Sequence, residues 1–235
     1  MVKSKKGLSP KVWLKTPITY YGGKQLMLRH ILPLIPAHHL YCEPFMGGGA
    51  VFFGKEPSNV EVINDTSDFV VNFYSQVRSA FGNLQTLIQA TLHSRSAYDD
   101  AKVIYSHGNL FTPLQRAWAF WVLCNQGWGG SIGTWSYGLE KANITRKVAS
   151  RKTAFIAEYS ERLNDVQIEH RDACYVIKTR DREDSFFYCD PPYVGAVQGH
   201  YSGYLERDFD ALLSTLATVK GKFLLSSYSS KLLDK

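Results

Sequence analysis

The feature that most constrains this chain is an apolar run, Phe186-Phe187-Tyr188-Cys189, that stops at Asp190-Pro191-Pro192-Tyr193. A short continuous apolar run bounded by turn residues suits a strand buried on both faces, as in a parallel sheet covered by helices. Each proline fixes its own φ and biases the residue before it toward extended geometry, so the residues after the run form a stiff turn. In open α/β sheets, the loops at the carboxyl ends of the strands are where ligands bind. An acid, a fixed backbone carbonyl and an aromatic ring within four residues suit a flat ring bearing an exocyclic amine. The acceptors would take its N–H hydrogens and Tyr193 would stack on it. A tight turn with a packed tyrosine is the plainer alternative, and the tetrapeptide alone does not decide between the two.

A glycine cluster, Glu43-Pro44-Phe45-Met46-Gly47-Gly48-Gly49-Ala50, follows the apolar run Leu40-Tyr41-Cys42 and precedes Val51-Phe52-Phe53. That order fits a strand, a tight turn and a helix start, where backbone can approach a ligand closely. The spacing is not that of the dinucleotide fingerprint, which argues against a nicotinamide-dependent oxidoreductase. Val60-Glu61-Val62-Ile63-Asn64-Asp65 comes next, a β-branched segment ending in an acid at about the spacing where nucleotide folds place a ribose-binding carboxylate. Asp65 is the ribose candidate, and capping of a helix beginning near Ser67 is the alternative. Upstream, Tyr20-Tyr21-Gly22-Gly23-Lys24 leads into Met27-Leu28-Arg29-His30-Ile31-Leu32, whose apolar spacing predicts an amphipathic helix. A lysine near a helix amino end is electrostatically unhelpful, so Lys24 calls for an anionic partner such as a ligand carboxylate.

Together these segments resemble the Dam-like, D12 class of DNA adenine-N6 methyltransferases. In that class a Tyr/Trp-x-Gly-Gly-Lys element, a Glu-Pro-Phe-x-Gly-x-Gly element and Asp-Pro-Pro-Tyr occur in this order, and the likeness spans about residues 15 to 230. The resemblance implies a doubly wound, Rossmann-like α/β sheet dependent on S-adenosylmethionine, with a mostly helical inserted target-recognition domain. It implies that Tyr20 and Lys24 touch the methionine part of the cofactor, that Phe45, Gly47 and Gly49 shape its pocket, and that Asp65 binds its ribose. Asp172 falls where the family has an acid near the cofactor adenine. Asp190, Pro191, Pro192 and Tyr193 would hold the target adenine, with Asp190 also bordering the cofactor.

The expected parallel strands lie near Tyr41, Val62, Ile168, Phe187 and Leu224, with the first and fourth flanking the switch point. The catalytic domain is expected at 1–75 and 166–235, and the inserted domain at 76–165. The insertion reads as helical, with a pattern over 83–90 and a helix opened by Thr112-Pro113, threonine as cap and proline at its first position. It ends in a glycine-rich, aromatic loop carrying Trp128 and Trp135, of a kind that fits a nucleic-acid groove. Lys141, Arg146, Lys147, Arg151 and Lys152 then supply positive charge with no acid among them, a candidate phosphate-contacting patch whose alternative is a solvated face.

A net charge of +6 over 235 residues agrees with a polyanionic partner, double-stranded DNA, without requiring one. Cys42, Cys124, Cys174 and Cys189 lack metal or disulfide spacing, His38-His39 lacks further ligands, and no run approaches the roughly twenty apolar residues of a membrane span. A cytoplasmic protein of bacterial or phage type is expected, without a metal or a membrane, as a monomer or weak dimer. The sequence ends at Lys235, soon after the fifth strand, where the family usually adds a helix and an antiparallel strand pair. The rival expectation is therefore a catalytically inactive, C-terminally truncated relative that binds DNA.

Overall fold

Tyr41, Ile63, Phe186 and Tyr188 are buried on one side of a sheet and Leu40, Cys42, Val62, Phe187 and Cys189 on the other. This is the period-two alternation of strands covered on both faces. A computed structural model describes residues 14–130, 132–138, 143–194, 203–228 and 233. Its sheet has five strands: β1 (Leu40–Glu43), β2 (Val60–Asn64), β3 (Val166–Glu169), β4 (Ser185–Cys189) and β5 (Lys222–Leu225). All neighbours pair in parallel in the order β3-β2-β1-β4-β5, so the sequence expectation of five strands with β1 and β4 at the switch point holds.

The helices, in chain order, are α1 (Leu28–Ile31), α2 (Ala50–Gly54), α3 (Asp68–Ser79), α4 (Phe81–Ala90), α5 (Arg95–Ser106), α6 (Pro113–Gln126), α7 (Ile144–Thr153), α8 (Glu158–Leu163), α9 (Ala173–Arg180) and α10 (Glu206–Leu216). α9 and α10 cover one face with Val176, Ile177, Phe209, Leu212 and Leu216. The other face meets α2, α3 and α6. None of the described helices is long and apolar enough to cross a membrane. α6 starts as its sequence predicts: Thr112 and Gln115 form a reciprocal capping box with proline in the first turn. α1 is shorter than its apolar spacing predicts, because Pro33 follows closely and the chain turns into a 3₁₀ segment, Leu32–Leu34.

The boundary expected at residue 76 falls inside α3. Leu84, Ile88, Tyr98, Phe120, Trp121, Phe155 and Leu163, all from the 76–165 segment, lie in the same apolar cluster as Tyr41, Phe53 and Phe186. The helical segment and the sheet therefore share a core.

Two buried acids support β1 and β2. Glu61 is held by Lys55 (2.6 Å) and by both terminal nitrogens of Arg162, one of them at 2.8 Å, and all three side chains are almost fully buried. Burial alone would push the Glu61 carboxyl up, but the hydrogen bonds and charges of Arg162 and Lys55 hold it below the usual range. Glu43 instead accepts a hydrogen bond from the Tyr41 hydroxyl (2.7 Å), and burial pushes its carboxyl up to about 8.

Glu61→Ala would leave two buried cations unpaired and is expected to cost about 3–5 kcal/mol in urea unfolding, whereas removing the exposed Asp99–Lys102 pair should cost under about 1 kcal/mol. Glu43 carries a pH signature. The folded protein keeps its proton to about pH 8 while the unfolded chain releases it near the ordinary glutamate value, so the stability it contributes is full in acid and is lost as pH rises through about 8. The melting temperature of Glu43→Gln should therefore gain on wild type between mildly acidic and mildly alkaline buffer. A gap that does not change with pH would mean that Glu43 is ionised in the fold.

Candidate active site

β1 ends in a loop that only glycine can make. Gly47 and Gly49 have φ of 45° and 66°, in the left-handed region, and Gly49 stands immediately before α2. A Cβ at Gly48 would come within 2.8 Å of Cβ of Tyr20, so the Tyr20 segment lies directly on the loop. Asp65 pins it from β2: its carboxylate accepts from Gly47 N and Ser67 N, both at 2.8 Å. Asn64 adds a cross-link, donating to Pro44 O (2.8 Å) and Arg171 O (3.1 Å) and accepting from Arg171 N (2.9 Å). Three loops, after β1, β2 and β3, are thereby stitched at one sheet edge.

Beside this edge lies a cavity of about 470 Å³, within the ~300–1,000 Å³ usual for small-molecule sites. Phe45, Ala173, Ala211 and Leu212 give it apolar walls, while Asp65, Asp172 and Asp208 give it acids. Asp172 also caps α9, accepting from Tyr175 N at 2.9 Å. Asp65 is 4% exposed and already bonded to backbone, yet each carboxylate oxygen has a second lone pair for a ligand hydroxyl. Both sequence readings of Asp65 thus have a basis, since it braces the start of α3 and also faces the cavity. Phe45 is shared with a narrower recess lined by Tyr20, Lys24, Gly47, Gly49, Glu43, Tyr188 and Asp190.

Asp190 closes that recess from β4. Lys24 Nζ sits 2.7 Å from its Oδ2, and Tyr193 Oη donates to its Oδ1 (3.2 Å) while lying 2.7 Å from Ser226 Oγ. Burial pushes the Asp190 carboxyl above the ordinary aspartate value, opposed by the charge of Lys24 and by hydrogen bonds from Lys24, Tyr193 and Ser226. Lys24, which burial alone would lower, is raised by Asp190. The anion sought for Lys24 from the sequence is thus supplied in this structure by the chain itself, and α1 begins four residues further on. Tyr193 keeps its hydroxyl on Asp190 and Ser226, with the Lys24 ammonium 5.1 Å from its ring centroid and Tyr228 edge-on at 4.5 Å. Pro191 is buried and Pro192 lines the larger cavity.

The residues expected on DNA divide. Arg146 and Lys147 are exposed on α7. Arg151 and Lys152 are half-buried and donate to Thr16 O (3.4 Å) and Thr91 O (2.8 Å), so they anchor α7 to the fold. Lys141 lies outside the described residues. Trp128 is 69% exposed, whereas Trp135 is half-buried, stacked on Tyr137 with the Arg95 guanidinium 4.8 Å from its ring.

Sequence reasoning did not single out Glu43, Asn64, Tyr188 or Ser226. Glu43 and Asn64 stood inside motifs already quoted and could have been found there. Ser226 follows β5 by one residue and is brought to Asp190 by strand pairing alone.

Comparison with known proteins agrees with this geometry. The family profile described as D12 class N6 adenine-specific DNA methyltransferase matches residues 20–235. The type II methyltransferase M1.LlaDCHI of Lactococcus lactis subsp. cremoris is 28% identical over 200 residues, covering 78% of this chain and 67% of that protein. The DNA N-6-adenine-methyltransferase of Escherichia phage P1 is 26% identical over 197 residues, covering 80% of this chain but 25% of the phage protein. Parallel sheet, glycine loop and Asp190 turn lie inside the matched region, and this chain belongs to the D12 class N6 adenine-specific DNA methyltransferases, whose methyl donor is S-adenosylmethionine.

Proposed function

We propose that this chain methylates N6 of an adenine turned out of double-stranded DNA, with Asp190 and the Pro191 carbonyl accepting the two N6 hydrogens. The observation that carries this reading is the meeting of the Asp190 turn with the glycine loop at the β1/β4 switch point, beside the cavity bordered by Asp65 and Asp172. The residues present fit S-adenosylmethionine: apolar walls for a purine, carboxylates for ribose hydroxyls, and a recess lined by Gly47 to Gly49 that leaves the backbone open to close approach. When bound, the cofactor supplies an electrophilic methyl group on a sulfonium. Tyr20, Lys24, Phe45, Gly47, Gly49, Asp65 and Asp172 are the residues we assign to holding it.

The adenine amine is a weak nucleophile because its lone pair is delocalised into the ring, and inside a duplex it is stacked out of reach. Acceptors on both N6 hydrogens favour a pyramidal nitrogen and aim its lone pair, so the chain's main lever is alignment and electrostatic preorganisation. So aligned, N6 would take the methyl group that the bound cofactor supplies in a direct displacement, the bonding pair of the broken sulfur–carbon bond remaining with the cofactor. The N6 proton becomes acidic and leaves to the Asp190 carboxylate or to water. Segment 76–165 is assigned to target recognition, with Arg146, Lys147 and the loop carrying Trp128 and Trp135 facing DNA.

Asp190→Ala should lower methyl transfer to unmethylated duplex DNA by more than about a hundredfold, the scale of losing a preorganised contact, while S-adenosylmethionine still binds. Calorimetry alongside nucleoside analysis reads both quantities. Turnover within a few-fold of wild type, at unchanged cofactor affinity, would remove Asp190 from the reaction. On the DNA side, neutralising Arg146 and Lys147 should weaken binding across all sequences and flatten the plot of log affinity against log salt by up to about 0.9 per residue. Neutralising Arg151 and Lys152 should instead show in thermal stability, since their donors serve backbone carbonyls. An unchanged salt slope in the Arg146/Lys147 variant would move the phosphate-binding surface away from α7.

A further inference from the structure

Lys24 and Asp190 come from opposite ends of the matched motifs, yet their charged atoms are 2.7 Å apart with only 15% and 18% of the two side chains exposed. We infer that Lys24 is a positioning residue for methyl transfer: it is the counter-ion that keeps the Asp190 carboxylate ionised and fixed in orientation until the amine has reacted. This rests on the methyltransferase reading above and assigns Lys24 a task separate from contact with the cofactor.

The need for such a counter-ion follows from the surroundings of Asp190. Cys189 precedes it on β4, and Tyr188 and Tyr193 face it from β4 and the turn. Glu43 faces it from β1, Ser226 from the end of β5, and Lys24 from the segment before α1. Among these, Lys24 alone carries positive charge, whereas Glu43, if ionised, would repel Asp190. A carboxyl so buried tends to keep its proton, and a protonated carboxyl offers an O–H donor where the amine hydrogens require acceptors. The ammonium has three N–H donors, of which one reaches Asp190 Oδ2 and another Gly22 O at 2.9 Å. Tyr193 Oη fixes the other carboxylate oxygen, Oδ1, at 3.2 Å. With Lys24, Tyr193 and Ser226 all donating to its two oxygens, the carboxylate plane is set and one lone pair stays available to N6.

The test is single-turnover methylation of a duplex substrate at saturating S-adenosylmethionine, from mildly acidic to alkaline pH, for wild type, Lys24→Gln and Lys24→Arg. Lys24→Gln should lose roughly tenfold or more at the acid end, with a deficit that narrows as pH rises, because Asp190 ionises later without its counter-ion. Lys24→Arg should recover most of the rate and the wild-type pH profile, and any rise in KM for the cofactor in Lys24→Gln reads the separate contact of Lys24 with the cofactor. A raised KM with an unmoved pH profile would overturn the inference and leave Lys24 as a cofactor ligand. A second arm needs no turnover: the Asp190 carboxyl is followed by carbon-13 NMR, identified with Asp190→Asn. Its titration midpoint should lie higher in Lys24→Gln than in wild type, and coincident midpoints would also overturn the inference. If wild type transfers no methyl group to DNA, the proposed function fails, while the NMR comparison still decides the role of Lys24.

Discussion

Parallel pairing of β1 with β4 is the contact on which the site depends. In the register Leu40↔Ser185, Tyr41↔Phe186 and Cys42↔Phe187, both strands finish at the same edge, and their following loops run in opposite directions across the sheet order. A crevice opens at such a point because the connections from neighbouring strands diverge to opposite faces. Gly47–Gly49 on one side and Asp190–Tyr193 on the other are thereby neighbours, although more than a hundred residues separate them in sequence. The apolar character of both strands secures this pairing, since each is buried on both faces.

Around that crevice, hydrogen bonds rather than apolar contacts set the geometry of the loops. Asp65 reaches back to Gly47 N, Asn64 binds carbonyls from the loops after β1 and β3, and Thr19 N donates to Asn125 Oδ1 at 3.2 Å. The last bond joins the segment carrying Tyr20 and Lys24 to the end of α6. Gly130 makes the same connection by proximity, because a Cβ there would come within 3.0 Å of Thr19 O. Through these contacts, the helices assigned to target recognition press directly on a wall of the recess holding Asp190.

The buried acids of the sheet differ in what burial does to them. Glu61 keeps its charge because two cations meet it, Glu43 keeps its proton because burial outweighs the hydrogen bond from Tyr41 and the charge of Asp190 adds to it, and Asp190 stands between these cases. Desolvation acts on all three in the same direction, and the nearest cation decides the outcome. With Glu43 protonated and Asp190 paired with Lys24, the recess carries little net charge, and its carboxyl groups act as positioned hydrogen-bonding groups.

The sequence by itself determined the five strands, the switch point and the loops that would carry the chemistry, because apolar runs ending in glycine or proline encode buried strands and their turns locally. It also fixed the start of α6 through Thr112 and Pro113. It did not determine that α1 would be a single turn, that segment 76–165 would share a core with the sheet, or that Arg151 and Lys152 would be tied to carbonyls of Thr16 and Thr91. Nor could it pair Lys24 with Asp190 or bring Ser226 to Tyr193. Those outcomes depend on which side chains meet across strands and helices distant in sequence, and a charge or hydroxyl read in isolation has no partner until packing supplies one.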